Sequence, residues 1–391
     1  MTTTEAEELA AVRTLLTAIA DENGELPEPW ASAIATVRRH EFLPRVLWQW
    51  DGDRYVRIDA EEQPTQWRAT AYANTSVVTQ VNDGKPVEDG EKVFPSSSAS
   101  APAIVARMLG ILNARRGERV LEVGAGTGWN AALMAHVVGP QNVTTVEVDA
   151  EAAGQAAVSL ERLAPGARVV VGDGLLGAPA GAPYDRIVVT CSLNHVPEAL
   201  LEQTRPGGTI LTPWSRPWCN YGLLHLTVRD DGSAQGRFHP YADFMPARGQ
   251  RLDLRIFRDV VADHHQPTES RTSVAPDAVA GDEDFAAQFA LALCLPDLWF
   301  AWHENPAVEG VVRRLWVATV DTTSWAAIDE MEDGGDMFTV WQHGPRRLWG
   351  EVEAAWAWYT AHGRPGPGRF GMTIDADGTH QPWLDSPGTP L

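Results

Sequence analysis

Two short stretches of this chain combine residue types and spacings that could do chemistry. The first reads PSSSASAP over residues 95–102 and sets four hydroxyls ahead of a proline. A hydroxyl donates a hydrogen bond without carrying charge, so it can orient a carboxylate without locking it into a strong ion pair. The second reads LEVGAGTGW over residues 121–129, a strand-like run that opens into three alternating glycines. Glycines let a ligand approach bare backbone, and the amide donors of a following helix favour an anion there. Taken alone, the serine run also reads as a flexible linker or a helix cap, because Ser100 lies two residues before Pro102.

The glycine spacing separates two nucleotide-type ligands. A dinucleotide fingerprint needs G-x-G-x-x-G, and the position of its third glycine is occupied here by Trp129. The pattern Gly124-Ala125-Gly126-Thr127-Gly128 suits S-adenosylmethionine better, whose methionine portion would lie against the turn. Glu147 follows at the end of the next strand, with Val148 after it. An acid at that edge accepts hydrogen bonds from a ribose diol. The third strand ends Gly172-Asp173-Gly174, which places Asp173 for an adenine amino group. Glu122, inside the first strand, reads either as a partner for the ligand's ammonium or as a satisfied buried acid.

Such groups need a scaffold, and the pattern supplies one. From 102 to 215, runs rich in Val, Ile and Leu alternate with helical segments, the signature of a parallel sheet covered on both faces. Residues 5–20 and 28–40 carry helical periodicity, and 54–94 read as short strands and loops. Beyond about residue 245 the rhythm is lost. Nine of the sixteen tryptophans fall between 299 and 383, and residues 251–391 hold ten arginines against 22 acids. The expectation is an α/β Rossmann-like catalytic domain, 1–245, and an α+β accessory domain, 246–391, that binds substrate peptide. The spacing predicts a helix carrying Trp349, Trp356 and Trp358, mostly as core.

The segments RHEFLPR (39–45), SASAPAIVARML (98–109), LEVGAGTGWNAALMA, GDG and VPEALLEQTRPGGTILTPW (196–214) together resemble the protein-L-isoaspartate O-methyltransferase family over roughly residues 30–245. The resemblance implies a class I S-adenosylmethionine-dependent methyltransferase that releases S-adenosylhomocysteine. It places Ser100, with Ser98 one step out, at the active centre beside the substrate carboxylate. Ser97, Asn194, His195 and Trp214 are assigned to the substrate side. His195 follows the fourth strand at the sheet edge where open α/β folds bind ligands, although capping is the plainer reading. The chain departs from repair enzymes in having Asn74 where an aspartate is usual, a longer 75–97 segment, and about 140 residues after the sheet. These features resemble an actinobacterial subgroup that methylates a normal aspartate in a macrocyclic ribosomal precursor peptide (lanthipeptide, lasso or graspetide), the ester collapsing to aspartimide and then isoaspartate.

Three functions therefore stay open: peptide maturation, repair of isoaspartyl residues in damaged proteins, and a non-catalytic cofactor-binding module that recognises peptides. A formal charge of −21 argues against unaided nucleic-acid binding. The acidic N-terminus lacks a basic leader region, and no 18-residue apolar run occurs, so neither a membrane nor a secretory route is expected. Three scattered cysteines suggest neither disulfides nor zinc, and Cys191 reads as a small buried residue. Asp263-His264-His265 is too isolated to hold a metal. A cytoplasmic monomer without a metal is the expectation.

Overall fold

The computed structural model describes residues 3–88, 91–240, 242–282 and 284–391. It divides into two units. The first comprises Met1–Cys191, Val196–Thr212 and His225–Ala234, and the second Ser192–His195, Pro213–Leu224 and Gln235–Leu391.

The first unit opens with α1 (Thr3–Asn23) and α2 (Trp30–Thr36). Four short strands follow, β1 (Val46–Trp50), β2 (Tyr55–Asp59), β3 (Val77–Val81) and β4 (Pro95–Ala99), with α3 (Pro64–Tyr72) between β2 and β3. They form an antiparallel sheet in the order β2-β1-β3-β4. Next come α4 (Pro102–Leu112), β5 (Val120–Val123), α5 (Trp129–Val138), β6 (Val143–Glu147), α6 (Ala150–Leu163), β7 (Arg168–Val171), β8 (Tyr184–Val189), α7 (Glu198–Glu202) and β9 (Thr204–Ser215). β9, β8, β5, β6 and β7 pair in that order, all parallel. All four residues of β5 are buried, as a strand covered on both faces requires. On α6, Ala153, Ala156 and Leu160 are the buried face at helical spacing, and Asp149 caps its start. The expected αβ succession is thus present. Helix α3 and strand β4 were not expected: α3 lies in a stretch read as strands and loops, and β4 is the serine run itself.

The second unit gathers more chain than the expected boundary at 245/246 gave it. Strands β9 and β10 (Asn220–Val228) and β11 (Ala234–His239) each contribute one end to it. The reason is aromatic packing inside this unit. Trp214 meets Phe238 edge-on at 5.9 Å, Trp218 meets Phe300 at 5.0 Å, and Tyr221 stacks on Phe285 at 5.4 Å. Five strands, β12 (Thr268–Thr272), β13 (Leu298–Glu304), β14 (Val311–Thr319), β15 (Trp325–Met331) and β16 (Phe338–His343), form an antiparallel sheet in the order β12-β16-β15-β14-β13. Helices α8 (Pro276–Ala280), α9 (Phe285–Cys294) and α10 (Leu348–Ala361) and the hairpin β17 (Phe370–Ile374)–β18 (His380–Leu384) complete it.

The tryptophans are mostly core. Trp299, Trp316 and Trp325 cluster with Ile256 and Val260, and Trp349 on α10 is buried, while Trp356 and Trp358 stay partly exposed. His265 stacks on His343 and its Nδ1 accepts from the Trp325 indole at 3.0 Å. Among the described residues no group of three or more potential ligands could hold a metal, and no helix is long and apolar enough to cross a membrane. Cys219 is buried, whereas Cys191, read as buried, is only half-buried.

One side chain ties the first unit's small sheet to its helices. Arg39, 1% exposed, directs one terminal nitrogen to the carbonyls of Ala71 and Ala73 and the other to those of Thr75, Ala99 and Ser100, all at 3.0–3.2 Å. Its guanidinium also lies 5.6 Å from the ring centre of Trp129, the first residue of α5. The Trp129 indole in turn donates to the Val37 carbonyl at 3.1 Å. Burial pulls Arg39 down to about 10, which leaves it a cation at neutral pH. Replacing it with an apolar residue strands five carbonyls, of which those of Ala71 and Ala99 are buried and cost about 1–3 kcal/mol each when unpaired. Arg39→Met is therefore expected to lose more than about 3 kcal/mol in urea unfolding, and Arg39→Lys, with three donors in place of the fork, to recover only part of it.

Candidate active site

The serine run is a paired strand, not a flexible linker. β4 pairs antiparallel with β3, Val78 opposite Ser98 and Gln80 opposite Ser97. Ser96 is buried and donates to Gln80 Oε1 at 2.9 Å, and Gln80 Nε2 donates to Asp149 Oδ2 at 2.9 Å. Through Gln80 the serine strand is therefore pinned to the start of α6, two residues beyond Glu147. The Ser97 hydroxyl takes a long bond of 3.4 Å from Thr79. Ser98 and Ser100 are half-buried, and neither hydroxyl bonds any described residue.

Neither serine caps the helix. Pro102 is the first residue of α4, Ala101 is its cap position, and no side chain of that residue bonds the helix. The capping acceptor comes from elsewhere: Asn74 Oδ1 takes the Ala103 amide at 2.8 Å, and its Nδ2 donates to Glu22 at 2.9 Å. The asparagine that departs from the usual aspartate thus supplies the helix start. Sequence reading assigned no role to Arg39, Gln80 or Asp149. Arg39 had a visible signal, a basic residue inside the family-like segment 39–45, but its carbonyl acceptors are up to 61 residues away.

The glycine turn has the geometry of a ligand cradle. Gly124 has φ +95°, and a Cβ there would meet Thr190 Oγ1 at 2.5 Å. That hydroxyl donates to the Gly124 carbonyl at 2.6 Å and so braces the turn from below. Gly126 has φ +51°, and a Cβ there would meet nothing within 4 Å, so the backbone is bare on that side. The amides of Gly124 and Ala125 bond the Val146 carbonyl at 2.8 and 3.1 Å, and Gly128 leads into α5. Thr127 between them is half-buried. Glu147 stands at the end of β6, where Oε2 accepts the Gly126 amide at 2.9 Å and Oε1 the Asp149 amide at 3.1 Å. Val148 beside it is 47% exposed and offers a flat apolar surface. At the end of β7, Asp173 is exposed between half-buried Gly172 and buried Gly174, with Oδ1 accepting the Leu175 amide at 2.9 Å.

These residues fit S-adenosylmethionine: a bare turn for the amino-acid portion, an acid for the diol, an apolar side chain and an acid for the base. Glu122 is the exception. It is 0% exposed, and Asn130 and Thr145 donate to its two oxygens at 2.7 and 2.6 Å. The reading of Glu122 as the ligand's ammonium partner gives way to the satisfied buried acid.

Asn194, His195 and Trp214 belong to the second unit. The Asn194 amide donates to Gln250 Oε1 at 2.7 Å, and its Oδ1 lies 2.7 Å from His195 Nδ1. His195 is exposed. Trp214 is 1% exposed, enclosed by Phe238 and His380, and so presents no surface to a peptide; its assignment as a substrate wall is corrected to core.

Burial pushes Glu122 up to about 7, against the two hydrogen bonds that favour its charged form, and nearby Glu147 adds to the rise. The unfolded carboxyl titrates near 4.5. Between these values the folded chain keeps a proton that the unfolded chain has released, so stability falls as pH rises through that window. The loss is on the order of 3 kcal/mol. A glutamine can still accept from Asn130 and can donate to the Thr145 hydroxyl. Measured by chemical denaturation of the cofactor-free protein, Glu122→Gln should gain stability relative to the parent as pH is raised from about 5 to about 8.

Comparison with known proteins supplies the family. The family model described as protein-L-isoaspartate(D-aspartate) O-methyltransferase matches residues 56–251. The protein-L-isoaspartate O-methyltransferase of Methanopyrus kandleri is 36% identical over 224 residues, 56% of this chain and 83% of its own. Protein-L-isoaspartate O-methyltransferase 1 of Nitrosospira multiformis is 30% identical over 225 residues, 56% of this chain and 80% of its own. A solved protein-L-isoaspartate O-methyltransferase has the same fold over 96% of this chain and 100% of its own, with a TM-score of 0.55 at 19% identity. The chain belongs to the protein-L-isoaspartate O-methyltransferase family and is an S-adenosylmethionine-dependent carboxyl O-methyltransferase of the class I fold.

Proposed function

We propose that this enzyme methylates the free carboxylate of isoaspartyl residues in peptides and proteins. The observation that carries the reading is the pair of unspent hydroxyls, Ser98 on β4 and Ser100 just past its end, where Arg39 holds the backbone and Gln80 pins the first serine. Relatives that match most of their own length bear the name of this activity. When bound, S-adenosylmethionine supplies a sulfonium methyl that a carboxylate oxygen captures as the carbon–sulfur bond breaks toward a neutral thioether. The carboxylate is ionised at neutral pH and needs no general base. It needs alignment, and two neutral donors orient it without neutralising its lone pairs.

The chemistry after transfer asks little of the protein. The backbone nitrogen of the following residue attacks the ester carbonyl, methanol leaves, and a succinimide forms that water opens to aspartate or isoaspartate. Maturation of a normal aspartate in a macrocyclic peptide shares this route. The features that set that reading apart carry less weight now. Asn74 has a structural task at the start of α4, and the fold likeness to a protein-L-isoaspartate O-methyltransferase extends through the C-terminal unit. Neither feature marks a maturation enzyme.

Two measurements test the proposal. Given an isoaspartyl peptide, its aspartyl counterpart and an aspartyl macrocycle, the enzyme should add one methyl, read by mass spectrometry, to the isoaspartyl peptide first; preference for the macrocycle would transfer the assignment to peptide maturation. In the second, the Ser98→Ala/Ser100→Ala variant should lose on the order of 10²-fold in kcat/KM, as misplacement of a reacting group does, while cofactor affinity stays unchanged. Undiminished turnover would remove these serines from the mechanism, and an inactive parent that binds both cofactor and peptide would make the chain a recognition module.

A further inference from the structure

The second unit contains an arginine with nothing to hold. Among the described residues the Arg216 guanidinium makes no hydrogen bond and no ion pair, and its Nε is enclosed without an acceptor. Arginines elsewhere in the unit do hold acids. Arg313, Arg314, Arg346 and Arg369 of the same unit each hold one or two carboxylates, as expected in a chain of net charge −21. Leaving one partly buried cation without an acid in such a chain is costly, and the structure compensates only in part. Arg216 lies over the Trp214 ring at 5.0 Å. That ring is stacked on His380 at 6.1 Å and 28°, and His380 meets exposed His195 edge-on at 6.5 Å.

The result is one cation over a buried aromatic ring, with two imidazoles in the same cluster. Burial, with Arg216 and His195 adding to it, pulls His380 down to about 4, so this imidazole is uncharged near neutrality. His195 is steadied at Nδ1 by Asn194 and at its carbonyl by Gln250 Nε2 at 3.1 Å. The fixed charge here is the Arg216 guanidinium, a planar fork that matches a carboxylate. We propose that Arg216, backed by the buried Trp214 ring and with His380 and His195 in the same aromatic cluster, is a binding site for a carboxylate side chain of a peptide. Joined to the isoaspartyl reading above, on which this part rests, the site would make the enzyme favour acidic peptides.

Binding is tested apart from catalysis with the full-length protein and a short glutamate-containing peptide that lacks isoaspartate, followed by tryptophan fluorescence or calorimetry. The glutamate peptide should bind at least roughly tenfold more tightly than its glutamine counterpart, since a bidentate charged pair is lost in the latter. Arg216→Leu should abolish that difference and Arg216→Lys restore part of it, with unchanged cofactor binding and thermal unfolding showing both variants folded. Equal binding of the two peptides by the parent, or an unchanged preference in Arg216→Leu, would overturn the proposal. So would acetate competing as well as the peptide does, which would make the site one for free small carboxylates. If either variant fails to fold, the parent protein decides: the glutamate peptide should protect Arg216 from phenylglyoxal and the glutamine one should not, and equal protection by both would overturn the proposal. Failure of isoaspartyl methylation with glutamate binding intact would sink the catalytic reading and leave this site standing.

Discussion

A buried guanidinium that faces carbonyls instead of acids organises the catalytic unit. Arg39 draws together the ends of α3, the loop before β3 and the last residues of the serine strand, and lies beside the first residue of α5. A carboxylate partner would have satisfied the charge at one point. Five carbonyls spread it over three chain segments, and each gains rigidity from a donor that cannot be deprotonated under physiological conditions. The ledge with Ser98 and Ser100 is thus held by its backbone, which leaves the hydroxyls unspent.

The cofactor side is built on a similar economy. Glu147 uses both oxygens on amides of the glycine turn and of the Val148–Asp149 link, so it is held in place at the edge of β6 before any ligand arrives. Ser96, Gln80 and Asp149 then connect the ledge to that same edge through side chains. Methyl transfer to a carboxylate depends on approach geometry more than on acid–base chemistry. A scaffold whose polar groups are satisfied by one another meets that demand, and Glu122, sealed behind the turn, belongs to the support.

The second unit solves a different problem. Its tryptophans mainly fill a core between an antiparallel sheet and its helices, and their number reflects that task. Half-buried Arg313, Arg314 and Arg346 are paired with acids, and Arg271, Arg347 and Arg364, which hold none among the described residues, are exposed. Against this background the isolated Arg216 stands out by contrast, and the chain's acidity makes its lack of a partner among the described residues informative.

Local pattern was enough for the parallel sheet. Runs of Val, Ile and Leu alternating with helical periods, three glycines at alternate positions and acids at successive strand ends carry their meaning within a few residues, because period and turn chemistry are local. The family resemblance and the cofactor followed from those same segments. What the sequence left open was decided by pairing at a distance. Ser-Ser-Ser-Ala has little strand preference, and β3 makes it a strand. Glu122 reads first as a partner for the ligand's ammonium, and only the fold shows it fully buried with both oxygens bonded; Trp214 reads as a wall until Phe238 and His380 enclose it. The unit boundary within β9 to β11 is likewise set by aromatic contacts that no spacing announces. Arg39 was in plain view, but only the folded chain could bring to it carbonyls from more than thirty to about sixty residues away, because long-range contacts leave no trace in local periodicity.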